Sequence, residues 1–447
     1  MTRRETAAAA LLFAAVAAAL VGLLSPTGAT HVLTDDFQAG PGRSDAYTFL
    51  WGHWWVHQAL AAGKSLFLCD RVFPPEGADV RFHSILWVPA VLSWPLAAVF
   101  GEVRAYNATI AALLAGAAFA LHLSLTITFR LRFAVAAIFG ALFGFAPYFV
   151  FKAHVHPNLA GAAFWAPALA LLLHVILRGG RARHGAAFAL FFWLCFWTSL
   201  VEGVMLAVAA AVLLAAAAVL RGVVPAARGE PHLPLARLWP TCLGLPTLAW
   251  LLVAPGEGLE RELFPAPGAE VWLGFPLLSL FAGAEHDGRL FEYGGTGVPI
   301  GLSLLAAAGA VRGAPGVTRA LLVSALAGLV VLTADPFGLP SAMLRALPLG
   351  EAVRVFARFF PFALFFAVIL AAHAAERALS SGAGLVRWLI AGAVLLAVLE
   401  TWPRAVHRSA AVSLEVPAEV RAALDPDGLV LVLPLAPRDY PRRREAY

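Results

Sequence analysis

The sequence predicts an all-α integral membrane protein, and three observations carry that prediction. Of its 447 residues 61% are hydrophobic and only 13% are charged, with a mean hydropathy of +0.80. Soluble domains of this size carry about 25% charged residues. The apolar residues fall in runs, several of which approach the ~20 residues that cross a bilayer as a helix. Strands in lipid need period-two alternation and a closed barrel, and neither pattern is present.

The net charge of +5 is almost wholly arginine, since Lys64 and Lys152 are the only lysines. No basic patch with interleaved aromatics accompanies it, so nucleic acid is not an expected partner. Cys69, Cys195 and Cys242 are scattered and form neither a disulfide framework nor a CxxC metal motif. The first run, 7–24, follows "MTRRE" without a clean small-x-small cleavage site, and is read as an uncleaved first helix.

Apolar runs follow at 85–100, 105–128, 134–151, 158–177, 186–200, 203–220, 240–254, 297–311, 318–334, 357–375 and 386–400. Arg3 and Arg4 place the N-terminus in the cytoplasm by the positive-inside rule. If all twelve runs crossed, "FRLRF" (Arg130, Arg132), "RGGRARHG" (Arg178, Arg181, Arg183), Arg312, Arg319, Arg377 and Arg387 would all fall outside. One change restores them all: the run 85–100, "ILWVPAVLSWPLAAVF", does not cross. It is short, Pro89 and Pro95 interrupt helical hydrogen bonding, and Trp87 and Trp94 suit the membrane interface. About 11 spans are therefore expected, with residues 1–400 as the membrane domain. Residues 25–104 form a large first extracytoplasmic loop with juxtamembrane helices, and 401–447 an extracytoplasmic tail. Within the loop, 45–60 reads as an amphipathic helix whose Trp51, Trp54 and Trp55 could lie among headgroups.

The outer face then collects the chemistry: Asp35 and Asp36, "KAHVHPN" with His154 and His156, Glu202, Glu285, and "EAVRVFARF" with Arg354 and Arg358. The inner loops are short, basic and nearly free of acids.

The order of motifs resembles the GT-C superfamily of polytopic membrane glycosyltransferases, in its bacterial mannosyl/arabinosyl-transferase-like branch. The Trp-rich helix, Pro74, Pro75 and Gly77 come first. Gly101 with Ala105, Tyr106 and Asn107 follow, then Pro147, His154 and His156, and finally Arg354, Val355, Ala357, Arg358 and Phe359. The resemblance covers about residues 5 to 435. The segment "VPAEVRAALDPDGLVLVLPL" is similar to the opening strand of a soluble outer domain that some members carry, so 401–447 reads as a truncated or vestigial start of one.

The resemblance implies transfer of a sugar from a polyprenyl-phosphate donor to an acceptor hydroxyl on a glycan, lipid or protein. Transfer would occur at the extracytoplasmic face of a bacterial plasma membrane, with inversion at the anomeric carbon and an Asp as general base. Asp35 or Asp36 is the candidate general base. Arg354 and Arg358, four apart on one helix face, are candidates for the donor phosphate. His154, His156, Glu202 and Glu285 are further substrate-binding candidates. Some members hold a divalent metal, Mg or Mn, with acids of several outer loops; here the second outer loop offers histidines and no acid, which weighs against one. The bland readings stand beside these. Asp35 and Asp36 suit a loop start or cap, Arg354 and Arg358 a snorkelling anchor, and Glu202 a turn at the water surface. His53 and His57 have zinc-compatible spacing but no evident third ligand, and read as an interfacial pair. A lipid-linked-sugar transporter or flippase is the competing function, and a non-catalytic envelope-assembly protein a weaker one. A transporter should show internal repeats and ionisable residues deep in its spans, and the sequence shows no clear repeat.

Overall fold

The computed structural model describes residues 2–34, 45–72, 77–81, 85–223, 299–334, 340, 342–343, 356–381, 384–401 and 408–410. Among them, seven helices are long and apolar enough to cross a membrane, and two more apolar helices are shorter. The protein is a multi-pass, all-α membrane protein.

Helix α1 (Arg3–Val21) starts with a reciprocal cap. The Thr2 hydroxyl accepts from Glu5 N–H at 3.2 Å, and the Glu5 carboxylate accepts from Thr2 N–H at 2.6 Å. Gly22, at φ 70°, ends it in the left-handed conformation. The end of the bundle reached here is termed the upper end. Strand β1 (His31–Leu33) follows, then α2 (Asp45–Ala61) and a two-residue hairpin of β2 (Leu68–Cys69) and β3 (Ala78–Asp79).

Helix α3 (Trp87–Phe100) is the proline-containing run. Its 14 residues reach only ~21 Å at 1.5 Å per residue. Gly101, at φ 83°, lets α4 (Glu102–Leu123) start at once. The second turn of α4 lies beside the exit of α1, because the Asn107 amide donates to the carbonyls of Gly28 (3.0 Å) and His31 (2.8 Å). The other end of α3 is at the same level. Trp87 packs on Phe67, and Phe67 on Trp197 near the end of a later helix. Both termini of α3 thus meet groups of the upper end.

From there the chain alternates. Helix α4 descends and ends in a π-turn at Ser124–Thr128. Helices α5 (Phe133–Gly144) and α6 (Pro147–Val155) rise in tandem, and α7 (Ala162–Arg178) descends. At the lower end Arg178 Nε donates to the Thr128 carbonyl at 2.9 Å. Helix α8 (Ala182–Thr198) rises and α9 (Leu200–Val223) descends. After the undescribed stretch, α10 (Ile300–Ala308, with a π-turn to Gly313) descends and α11 (Gly316–Ala334) rises. Helix α12 (Phe360–Ser380) descends and α13 (Gly384–Thr401) rises. Strand β4 (Arg408–Ala410) then pairs antiparallel with β1, His31 opposite Ala410 and Leu33 opposite Arg408. The chain beyond α13 therefore ends its described course at the upper end.

Small residues set the closest approaches, as expected where lipid supplies no hydrophobic drive between helices. A Cβ on Gly144 would lie 2.5 Å from that of Ala118, so only glycine lets α5 touch α4 there. Helix α12 is buried almost throughout and forms the central post of the second half. A separate small core of Trp55, Val56, Ala59, Cys69, Val80, Ile85, Trp87 and Ala90 lies under the α2–α3 segment.

The two ends differ in chemistry. At the lower end Arg132 pairs with Glu376 at 3.1 Å, Arg377 donates to the Arg312 carbonyl, Arg319 to that of Val311, and Arg387 to that of Leu379. The arginines of "FRLRF" and "RGGRARHG" share that end. The described acids of residues 25–104 all lie at the upper end.

Candidate functional site at the upper end

The predicted site residues divide into described and undescribed. Asp35, Asp36, Arg354 and Glu285 lie outside the described residues, as does most of 401–447. The residue before the acid pair is fixed firmly: Thr34 is fully buried, and so are Val32 and Leu33. The doubly donating Asn107 amide and the β1–β4 pairing hold this strand from two sides.

Each described acid of the first loop is already engaged. Asp45 receives His156 Nε2 at 3.2 Å, and Asp70 receives Lys64 at 2.5 Å. Asp79 receives Arg81, and Glu102 receives His57 Nδ1 at 2.5 Å. The Lys64 and Arg81 bonds hold the Asp70 and Asp79 carboxyls below the usual carboxylate range. A base for an acceptor hydroxyl is therefore not found among these four.

Helix α6 brings a group that the sequence reading passed over. The run 134–151 stops short of Lys152, yet the helix continues to Val155 and Lys152 is fully buried at the upper end. Its Nζ lies 6.0 Å from the Tyr148 ring centroid and 5.6 Å from that of Phe151. Tyr148 also packs on Phe360 at 5.7 Å, next to the single turn Phe356–Phe359 that carries half-buried Arg358. The helix that carries Lys152 thus meets, through Tyr148 and Phe360, the element that directly follows the turn containing Arg358. The signal in the sequence was a lysine at the edge of an apolar run, where an ionisable group is costly unless used.

The histidines take separate places. His154 is buried and its Nδ1–H donates to the Val150 carbonyl at 2.6 Å, turning the ring onto its own helix. His156 faces Asp45 and ties α6 to the start of α2. Glu202 is not at a water surface: it is 2% exposed, in the first turn of α9, with its carboxylate against the Gly161 backbone and the Trp165 indole. It therefore links α9 to α7.

The interfacial reading of His53 and His57 is corrected. Both are buried, at 0% and 2% exposure, between α2, α3 and α4. His57 is bonded on both ring nitrogens, and the His53 ring lies edge-on to Tyr106 at 5.2 Å. Among the described residues no group of three His, Cys, Asp or Glu side chains is placed to hold a metal ion.

No protein-family model matches this chain, and no curated protein matches it in sequence.

Proposed function

We propose that the protein is a membrane glycosyltransferase of GT-C type. It moves a sugar from a polyprenyl-phosphate donor to an acceptor hydroxyl at the upper end, on the extracytoplasmic side of a bacterial plasma membrane. The observation that carries this reading is the segregation of charge. Arginines with few acids occupy the lower end, while the described acids of the 25–104 loop, His57, His156 and Lys152 gather at the upper end with both described termini of that loop. The positive-inside rule makes the lower end cytoplasmic. On this reading the chain crosses eleven times, counting the run 240–254 outside the described residues, with α3 lying along the outer surface.

The chemistry asks for three things there. A carboxylate takes the proton of the attacking hydroxyl, and Asp35 or Asp36, adjoining the anchored Thr34, supplies it. The leaving phosphate gains charge as the anomeric bond breaks, and fixed cations stabilise that charge. Arg358, Arg354 and Lys152 supply them, Lys152 from a water-excluded position where its field is least screened. The lipid tail of the donor stays in the bilayer beside these groups.

The test is a transfer assay with a panel of polyprenyl-phosphate sugars on the purified protein in nanodiscs. Wild type is expected to transfer from at least one donor, and Asp35→Asn with Asp36→Asn to abolish transfer while the protein stays folded. Full activity in the double variant removes the acid pair from the mechanism.

A further inference from the structure

Four arginines meet at the lower end of the second half of the bundle, each carried by a different element. Arg312 lies in the π-turn after α10, Arg319 in the first turn of α11, Arg377 in the last turn of α12 and Arg387 in the first turn of α13. Glycine lets the π-turn seat directly on α12: a Cβ on Gly309 would collide with the Leu370 carbonyl, and one on Gly313 would lie 3.1 Å from the Ala374 nitrogen. Arg377 Nη1 then donates to the Arg312 carbonyl at 2.6 Å, and Arg319 Nη1 to the adjacent Val311 carbonyl at 2.6 Å. Arg387 Nη2 donates to the Leu379 carbonyl at 3.2 Å, just past Arg377 on α12.

We propose that this cluster is a binding site for an anionic phospholipid, whose phosphate is held by Arg312, Arg319 and Arg377 and whose acyl chains run along the exposed apolar face of α13.

Capping alone does not account for the cluster. Cations do suit helix C-termini, and these carbonyls are such ends. A carbonyl takes one N–H of a guanidinium that has five, and leaves its charge intact. Two guanidiniums on consecutive carbonyls therefore repel each other, and an anion between them relieves the repulsion. The acid beside them, Glu376, is already taken: it accepts from Arg132 N–H at 3.0 Å and pairs with Arg132 Nε at 3.1 Å. No carboxylate of a described residue pairs with Arg312, Arg319, Arg377 or Arg387. The exposed Arg312 guanidinium has no hydrogen-bond partner among the described residues.

The apolar half of the ligand follows from α13. Leu385, Trp388 and Leu389 stand at i, i+3 and i+4 beside Arg387, and all three are exposed, Trp388 at 79%. Such a face at the rim of a bundle meets lipid chains, with tryptophan at the headgroup level. A lipid phosphate at that level suits the guanidinium fork, and basic clusters between spans on the cytoplasmic side bind acidic headgroups. Phosphatidylcholine offers the same phosphate but brings its own cation, so the site prefers a lipid of net negative charge.

The experiment is native mass spectrometry of the purified full chain in detergent, titrated with phosphatidylglycerol or with phosphatidylcholine. Each basic residue beside a membrane surface strengthens anionic-lipid binding about fivefold. Wild type is expected to bind phosphatidylglycerol about 25-fold or more tighter than phosphatidylcholine. Arg319→Gln with Arg377→Gln should weaken phosphatidylglycerol binding about 25-fold. Arg312→Gln removes a guanidinium that caps nothing, so the fold is untouched, and should weaken it about fivefold. This single variant decides the matter even where the double variant unfolds. Arg4→Gln with Arg183→Gln removes the same charge from exposed positions at the same end and should leave the affinity unchanged. Equal affinity for the two lipids, wild-type affinity in Arg312→Gln, or an equal loss in the two double variants overturns the site. Displacement of the bound lipid by inorganic phosphate at matched ionic strength overturns the lipid assignment in favour of a free anion. None of these readouts uses sugar transfer, so the lipid site and the transferase reading can fail separately.

Discussion

Asn107→Leu probes the anchor that fixes the start of the first outer loop. The asparagine is fully buried, and its amide donates to the carbonyls of Gly28 at 3.0 Å and His31 at 2.8 Å. Leucine has the same branched heavy-atom skeleton, so the variant makes no cavity; it removes both donors. A buried acceptor left without a partner costs about 1–3 kcal/mol. Gly28 is buried and carries that cost in full, while His31 is partly exposed and carries a reduced one. The sum is about 2–4 kcal/mol, applied locally to the segment between α1 and the acid pair. Because this segment also pairs with β4, both strands should loosen together. Hydrogen exchange across 26–34 and 408–410, read in nanodiscs, is expected to speed by about one and a half to three orders of magnitude, with α7 and α12 unchanged. Exchange at wild-type rates in both strands would refute the argument that this amide holds the loop.

Three further outcomes follow from the same geometry. Gly144→Val forces α4 and α5 apart, since its Cβ would fall 2.5 Å from that of Ala118; a loss of about 1–3 kcal/mol or more is expected in thermal unfolding, and an unchanged midpoint would contradict the packing. His53 has its pKa lowered to about 3, chiefly by burial, so the unfolded chain binds its proton first as pH falls. Stability held above about pH 6.5 is then lost at about 1.4 kcal/mol per pH unit down to about pH 3, and His53→Phe should remove that acid limb. Arg132→Ala with Glu376→Ala breaks an ion pair that is half-exposed on the arginine side, and should change stability by less than about 1 kcal/mol in a melting assay.

Much of the architecture was legible because lipid imposes simple rules. Run length marked the helices, and the arginines of "FRLRF" and "RGGRARHG" marked one end of the bundle. The run 85–100 was marked as short, and its helix has 14 residues, although Pro95 sits inside it without breaking it. The site was less legible. Asn107 meets residues 76 and 79 positions away, and His57 meets Glu102 across 45; no local pattern records such contacts. Lys152 was missed because an apolar run was ended at its first charge, although a helix does not stop where hydropathy does. The bland reading of Glu202, a water-facing turn, failed because turns between spans are usually wet, and here the turn is only one residue, Ser199, between α8 and α9.

The account depends on α3 beginning and ending at one face of the membrane. The direct measurement is single-cysteine labelling with an impermeant maleimide in intact cells, on a background lacking Cys69, Cys195 and Cys242. Arg71→Cys precedes α3 and Arg183→Cys follows α7, and both positions are exposed. With α3 lying along the surface the two sites are on opposite faces, so position 71 labels from outside and position 183 only after the cells are opened. If both label from the same side, α3 crosses, and the upper end is no longer one face on which the proposed groups can act together.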